Sequence, residues 1–358
     1  MRRSAFAALV LAILAGVALT GCVSDPAAPA PGMGAPADPE SLLSYLQGAP
    51  VPAVDGKATL SWMSAFVSAH KPRITGTPQE KAAGDQIAAD LAALGYEVEN
   101  RLYGLNGLPS ADGPLRAVVG VKRGATNPDH LILMGAHYDT SFTIGNPDVP
   151  GLPFGAGVTL EAAYDNGSGT ALVMDLARLL ANVTTNKTLL FVLFNGEEEG
   201  LLASEAFAQE LAAQQDQVQV ETYMGFDMIG INYPSAAGCL CIYAGDLYAP
   251  ELNPLQETVA FDLLGLPRGN ETVQVFDNHK TRNSDEFSFL DAGFPTMRWA
   301  GMASAGDYWG YHKVNDTVET MALQAGGQDL LLQGLEAASR TAYYTVLALD
   351  RVELSLTA

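Results

Sequence analysis

Five short segments carry side chains that could hold metal ions or move protons. The apolar run Leu131 to Gly135 leads into Ala136-His137-Tyr138-Asp139. Side chains alternate along a strand, so His137 and Asp139 share a face, and Asp139 can hold the imidazole as a metal-ligating histidine requires. Alone, a His-x-Asp is weak evidence. The second segment, Asp165-Asn166-Gly167-Ser168-Gly169, reads as a turn entering a helix that could present a carboxylate to a metal. By itself such a segment is more often a helix cap. Third, the apolar strand Leu189 to Phe194 runs through Asn195-Gly196 into Glu197-Glu198-Glu199. Three successive carboxylates repel one another unless a cation or a shared proton compensates. The plainer reading is a solvated first turn favoured by the helix dipole. Fourth, Asp227 sits at the end of the apolar strand Val218 to Phe226, where an unpaired charge is costly. Fifth, Tyr311-His312 lies in a late loop followed by Asn315-Asp316-Thr317. Two imidazoles with three or four carboxylates form a hard-to-borderline donor set suited to a pair of zinc ions.

The elements that must position these residues alternate between helix and strand periods. Strands are expected at 96–103, 115–122, 131–135, 188–194, 218–226, 240–244, 273–276 and 296–299. Helices are expected around 62–67, over 80–94 with a stop at Gly95, and at 171–180, 201–211, 252–264, 285–290 and 328–349. This order predicts a three-layer α/β/α sandwich with a mixed, largely parallel central sheet, whose sites form where strands end. One domain accounts for residues 57–358.

Composition narrows the partners. The 358 residues carry 40 Asp and Glu against 19 Lys and Arg, a formal charge of −21, and 48% hydrophobic residues. That composition excludes a wholly disordered chain, and the acidic balance, with no basic stripe, argues against nucleic acid as a partner. Met1-Arg2-Arg3 and the apolar run Ala5 to Leu19 read as a signal peptide over 1–21. Leu19-Thr20-Gly21-Cys22 resembles a bacterial lipobox, so Cys22 is expected to be lipidated and to supply the chain's contact with a membrane at the cell surface or in the periplasm. Residues 23–56 then form a Pro/Ala/Gly-rich tether and lead-in. Cys239 and Cys241 read as core thiols, His70 and His130 as surface residues, and His279-Lys280-Thr281-Arg282 as a solvated basic turn or a carboxylate-binding wall.

In company and order the five segments resemble the co-catalytic zinc exopeptidases, the family of secreted bacterial leucine aminopeptidases whose superfamily includes glutamate carboxypeptidase. The resemblance runs from about residue 57 to 350 and includes Ser284-Asp285 and Asp316-Thr317. It implies two zinc ions per chain and peptide substrates. Asp165 would bridge both metals, His137 and Asp227 would complete one site, and Glu198 and His312 the other. Glu197 would be the general base, Asp139 the partner of His137, and Tyr311 a support for the oxyanion. The leading expectation is an aminopeptidase. A carboxypeptidase of the same superfamily, a glutaminyl cyclase-like acyltransferase and a metal-free binding module are the alternatives. Glu286 departs from the pattern, since many relatives carry His there. The Gly/Pro-rich stretch between Asp139 and Asp165 is the other departure.

Overall fold

Lys187 begins an eight-residue strand in which every residue is buried, and its alternation sets the layering. Leu189, Phe191 and Leu193 join a core with Phe66, Leu172 and Leu335, while Leu190, Val192 and Phe194 join a second core with Phe207 and Phe289. Because successive side chains point to opposite faces, one strand fills both sides of a sheet. Each such fully buried side chain contributes about 1.5–3 kcal/mol.

The computed structural model describes residues 39–141, 161–245, 248–269, 272–277, 283–302 and 304–354. The expected leader at 1–21, Cys22, the expected tether as far as residue 38, most of the stretch between Asp139 and Asp165, and His279-Lys280-Thr281-Arg282 lie outside them. The strands are β1 (Glu97–Tyr103), β2 (Leu115–Lys122), β3 (Asn127–His137), β4 (Lys187–Phe194), β5 (Gln219–Phe226), β6 (Leu240–Ala244), β7 (Val273–Asp277) and β8 (Thr296–Ala300). The helices are α1 (Pro39–Gln47), α2 (Gly56–Ala69), α3 (Pro78–Ala93), α4 (Ser168–Leu180), α5 (Leu202–Ala212), α6 (Leu252–Glu257), α7 (Glu286–Asp291), α8 (Val318–Ala325) and α9 (Gln328–Arg351). The sheet order is β1-β2-β4-β3-β5-β8-β6-β7. The central strands β4, β3, β5 and β8 run parallel, β6 and β7 pair in parallel, and β1, β2 and β6 supply the antiparallel pairings. The predicted α/β/α sandwich is therefore the observed fold.

Local signals explain the helix ends. The Asp55 carboxylate accepts hydrogen bonds from the Lys57 and Ala58 amides and starts α2. Thr77 caps α3 ahead of Pro78, and Gly95 ends it at φ +90°.

Several expectations are corrected. α1 buries Leu42 and Leu46 in the core, so the lead-in from residue 39 belongs to the folded body. Its two buried leucines over nine residues are too short a period to read in a Pro/Ala-rich context. The eight-residue α8, capped by Thr317, is also unanticipated. Cys239 and Cys241 are joined in a disulfide. Cys239 precedes β6, and its Cα lies 5.3 Å from that of Cys241, within a disulfide's span. His70 and His130 are partly buried, with His70 Nε2 2.6 Å from Gln86 Oε1 and His130 Nδ1 2.6 Å from the buried Glu221. Among the described residues no helix is long and apolar enough to cross a membrane.

Candidate metal centre

Three of the chemistry-bearing segments emerge from the C-terminal ends of adjacent parallel strands. His137 ends β3, Glu197 and Glu198 follow β4 on one side, and Asp227 follows β5 on the other. Asp165 precedes α4, and His312 enters from the loop before α8.

Each segment is held by hydrogen bonds that explain its sequence. Asn166 donates to the Phe226 carbonyl at 2.9 Å and accepts from the Gly169 and Met228 amides, tying the Asp165 turn to the end of β5. A Cβ on residue 169 would lie 2.1 Å from the Phe226 carbonyl oxygen, so only glycine permits that approach. Gly196, at φ +74°, turns the chain from β4 into the Glu197-Glu198-Glu199 segment. Asp139 receives the Glu197 and Glu198 amides at 3.4 and 3.3 Å. Glu199 leaves the other two carboxylates and accepts from Thr75 at 2.7 Å, so Glu197 and Glu198 alone of the three line the central cavity. The described non-glycine residues with positive φ are Ala162, Leu201, Met228 and His312. All four are site residues or lie within three positions of one, and backbone strain of this kind collects at functional sites.

The geometry separates two groups around one shared carboxylate. Asp165 Oδ1 lies 3.3 Å from His137 Nε2, and Asp165 Oδ2 lies 3.3 Å from His312 Nε2. Asp227 Oδ1 is 3.7 Å from His137 Nε2, and Glu198 Oε2 is 3.3 Å from His312 Nε2. Donor atoms of His137, Glu197 and Asp227 lie within 4.8 Å of one another, and so do those of Asp165, Glu198 and His312. Glu197 is the outermost of the carboxylates near His137 Nε2, at 4.0 Å. Tyr311 stacks on the His312 ring with centroids 4.0 Å apart. Asp165, Glu197, Glu198, Asp227, Tyr311 and His312 all line a cavity of about 450 Å³. His137 is buried behind it, with Nδ1 3.4 Å from Asp139 Oδ1 but poorly aligned for a hydrogen bond.

Without a cation this cluster is electrostatically strained. Burial pushes Glu197 well above the usual carboxylate range, and burial with the neighbouring Asp165 charge lifts Glu198 to about 7. Burial would lower His312, but Asp165 and Glu198 override it and raise the ring to about 10. Asp165 also feels burial, which the two imidazoles outweigh, holding it below its ordinary value. Asp227 Oδ1 is buried without a hydrogen-bond partner. Two divalent cations would relieve all of these at once, taking the orphaned oxygen as a ligand and displacing the protons. The donor set of imidazole nitrogens and carboxylate oxygens suits zinc.

Two supporting residues carry roles the sequence did not reveal. Asp316 is buried and accepts the Tyr164 amide at 2.8 Å, the Asp165 amide at 3.0 Å and the Tyr308 hydroxyl at 2.9 Å, fixing the backbone that presents Asp165. Arg73, fully buried, donates to the carbonyls of Tyr138, Glu161 and Ala162 and joins the His137 and Asp165 segments. Asp316→Asn keeps the size but leaves one oxygen for three donors. The variant should fold and bind zinc about 10- to 100-fold more weakly in chelator competition; unchanged affinity would remove Asp316 from this role.

Comparisons with known proteins give the family and the fold. Residues 117–328 match the sequence profile of peptidase family M28. Aminopeptidase YwaD of Bacillus subtilis is 27% identical over 212 residues, 56% of this chain and 39% of that protein. The chain thus spans less than half the length of that relative. Among solved structures, BSAP, a zinc aminopeptidase from Bacillus subtilis, superposes with a TM-score of 0.62 at 16% identity, covering 82% of this chain and 96% of that one. A glutaminyl cyclase from Porphyromonas gingivalis gives 0.61 at 21% identity, covering 83% and 99%. At these identities the structural likenesses show the fold.

Proposed function

The chain belongs to peptidase family M28, and from that premise we propose that it is a two-zinc aminopeptidase that removes the first residue of peptides. The observation that carries this reading is Asp165, whose two oxygens each lie 3.3 Å from the Nε2 of a different histidine. A bridging carboxylate between two metal sites requires that arrangement. His137 and Asp227 would hold one zinc and Glu198 and His312 the other. When bound, the zinc pair supplies Lewis acidity toward the scissile carbonyl and toward the attacking water.

The chain's own residues do the rest. Glu197 lines the cavity at the outer side of the His137 group and is raised in proton affinity by burial. A carboxylate so tuned takes a proton from water as its oxygen attacks the carbonyl carbon, then gives that proton to the amide nitrogen as the C–N bond breaks. Asp139 accepts the Glu197 and Glu198 amides and lies 3.4 Å from His137 Nδ1, where it would orient the ring once that ring ligates a metal. Tyr311, stacked against His312, faces the same cavity and can donate its hydroxyl to the developing oxyanion. The carboxylate-rich wall favours the amino end of a substrate. Export through residues 1–21 and lipid attachment at Cys22 complete the proposal and place the enzyme outside the cytoplasm.

A profile of free and N-acetylated peptides tests the reading. Stepwise release from the free amino end is expected, with acetylated peptides left intact. Cleavage of acetylated peptides at internal or C-terminal bonds would contradict it. The Porphyromonas cyclase's similarity favours one second reading, and loss of ammonia from an N-terminal glutaminyl peptide, without hydrolysis, would establish that instead.

A further inference from the structure

The cavity beside the two groups contains a cation that the proposed chemistry does not use. Arg298 lies on β8, paired in register with Gly225 two positions before Asp227, and it lines the cavity. Its side chain is 9% exposed. Nε is buried with no hydrogen-bond partner, and among the described residues no acceptor takes a hydrogen bond from the guanidinium. The carboxylate within reach is Asp227 Oδ2 at 3.8 Å, beyond hydrogen-bonding distance. Tyr243 lies under the guanidinium at 6.0 Å.

A largely buried guanidinium whose Nε has no acceptor is costly. The neighbouring acids do not supply one. Glu286 is buried on α7, where Oε1 accepts the Asn283 amide and Oε2 has no partner. It therefore balances the charge of Arg298 from a distance and leaves the fork free. Asp227 belongs to the His137 group, where its Oδ1 would be committed in the proposed enzyme, and its Oδ2 stays beyond hydrogen-bonding distance of the guanidinium. Met228, Met302, Asn283 and Ser304 also line the cavity and carry no negative charge. What remains is a preorganised, largely desolvated guanidinium opening onto the substrate space, the arrangement that recognises a carboxylate through two parallel hydrogen bonds.

We infer that Arg298 is a receptor for a substrate carboxylate, so that the enzyme prefers peptides carrying one close to the scissile bond. The carboxylate is either the side chain of an acidic residue at the cleaved position or the free C-terminus of a very short peptide. The inference rests on the peptidase reading of the same cavity.

Two isosteric pairs separate the sources: glutamyl against glutaminyl p-nitroanilide, and Leu-Gly against Leu-Gly amide. The zinc-loaded wild type should favour the carboxylate member of one pair by about 10- to 100-fold in kcat/KM, the range for a charge-assisted hydrogen bond. Arg298→Gln should erase that preference, and Arg298→Lys, which keeps the charge without the fork, should retain a reduced one. The preferred pair identifies the source. Binding is read separately in Glu197→Gln by calorimetry with L-glutamate against L-glutamine and with both Leu-Gly ligands. Tighter carboxylate binding that disappears in Glu197→Gln/Arg298→Gln supports the receptor whether or not any peptide is cleaved. Equal use of both members of both pairs would overturn it. So would an Arg298→Gln enzyme that loses zinc and slows equally on acidic and neutral substrates, since Arg298 would then only position Asp227. Absence of all hydrolysis with carboxylate binding intact would count against the peptidase reading alone.

Discussion

Replacing Glu197 with Gln should give a folded protein with its full zinc content that cleaves peptides about 100- to 10,000-fold more slowly, the range for loss of a positioned general acid–base. Glu197 combines two properties that none of its neighbours shows together. It is the farthest of the His137 carboxylates from Nε2, at 4.0 Å against 3.3 Å for Asp165 and 3.7 Å for Asp227, so ligation by those two would leave it free to act on water. Burial also raises its proton affinity well above that of an ordinary glutamate, which suits a group that must take up and return a proton. The amide of Gln fills the same space and cannot do either. Measuring kcat alongside zinc content by elemental analysis separates the roles: a parallel loss of zinc would make Glu197 a ligand, and an unchanged rate would remove it from catalysis.

Replacing Asp165 with Ala should release both zinc ions, whereas His312→Ala should release about one of the two. The contrast follows from position. Asp165 offers one oxygen to each histidine, while His312 approaches Asp165 and Glu198 alone. The two variants can be compared by elemental analysis after gel filtration. Loss of a single ion from Asp165→Ala would mean that the two groups do not share a ligand. The same chemistry gives a pH signature. His312, raised to about 10, and Glu198, raised to about 7, must lose protons to bind metal, so zinc binding at neutral pH releases protons and tightens as the pH rises.

The parts of this protein that were legible in its sequence are those with short-range signals. The unbroken apolar run over 188–194 identifies a strand buried on both faces, and the two-residue spacing of His137 and Asp139 puts both on one side of the chain as it leaves β3. Glu197, Glu198 and Asp227 stand out because carboxylates follow apolar strands, where charge is costly. All of the expected ligands do converge on one cavity wall or directly behind it. What could not be read depends on partners far away in the chain. Asp316 serves amides about 150 residues earlier, and nothing near it in sequence marks it as buried. Arg73 and Arg298 look like ordinary surface cations until the fold encloses them. Lys187 is likewise fully buried, paired with Glu221 at 3.1 Å and donating to the Val352 carbonyl. The Glu199 carboxylate looked equivalent to its two predecessors, and only the tertiary position of Thr75 draws it away.

The central claim is that two zinc ions held around Asp165 let Glu197 drive removal of a peptide's first residue. Titrating chelator-stripped protein with zinc while following release of leucine from an unblocked leucyl peptide tests it most directly. Activity that appears with zinc and reaches its plateau at the second equivalent is the expected result. Full activity in the stripped protein, or a plateau at the first equivalent, would contradict it.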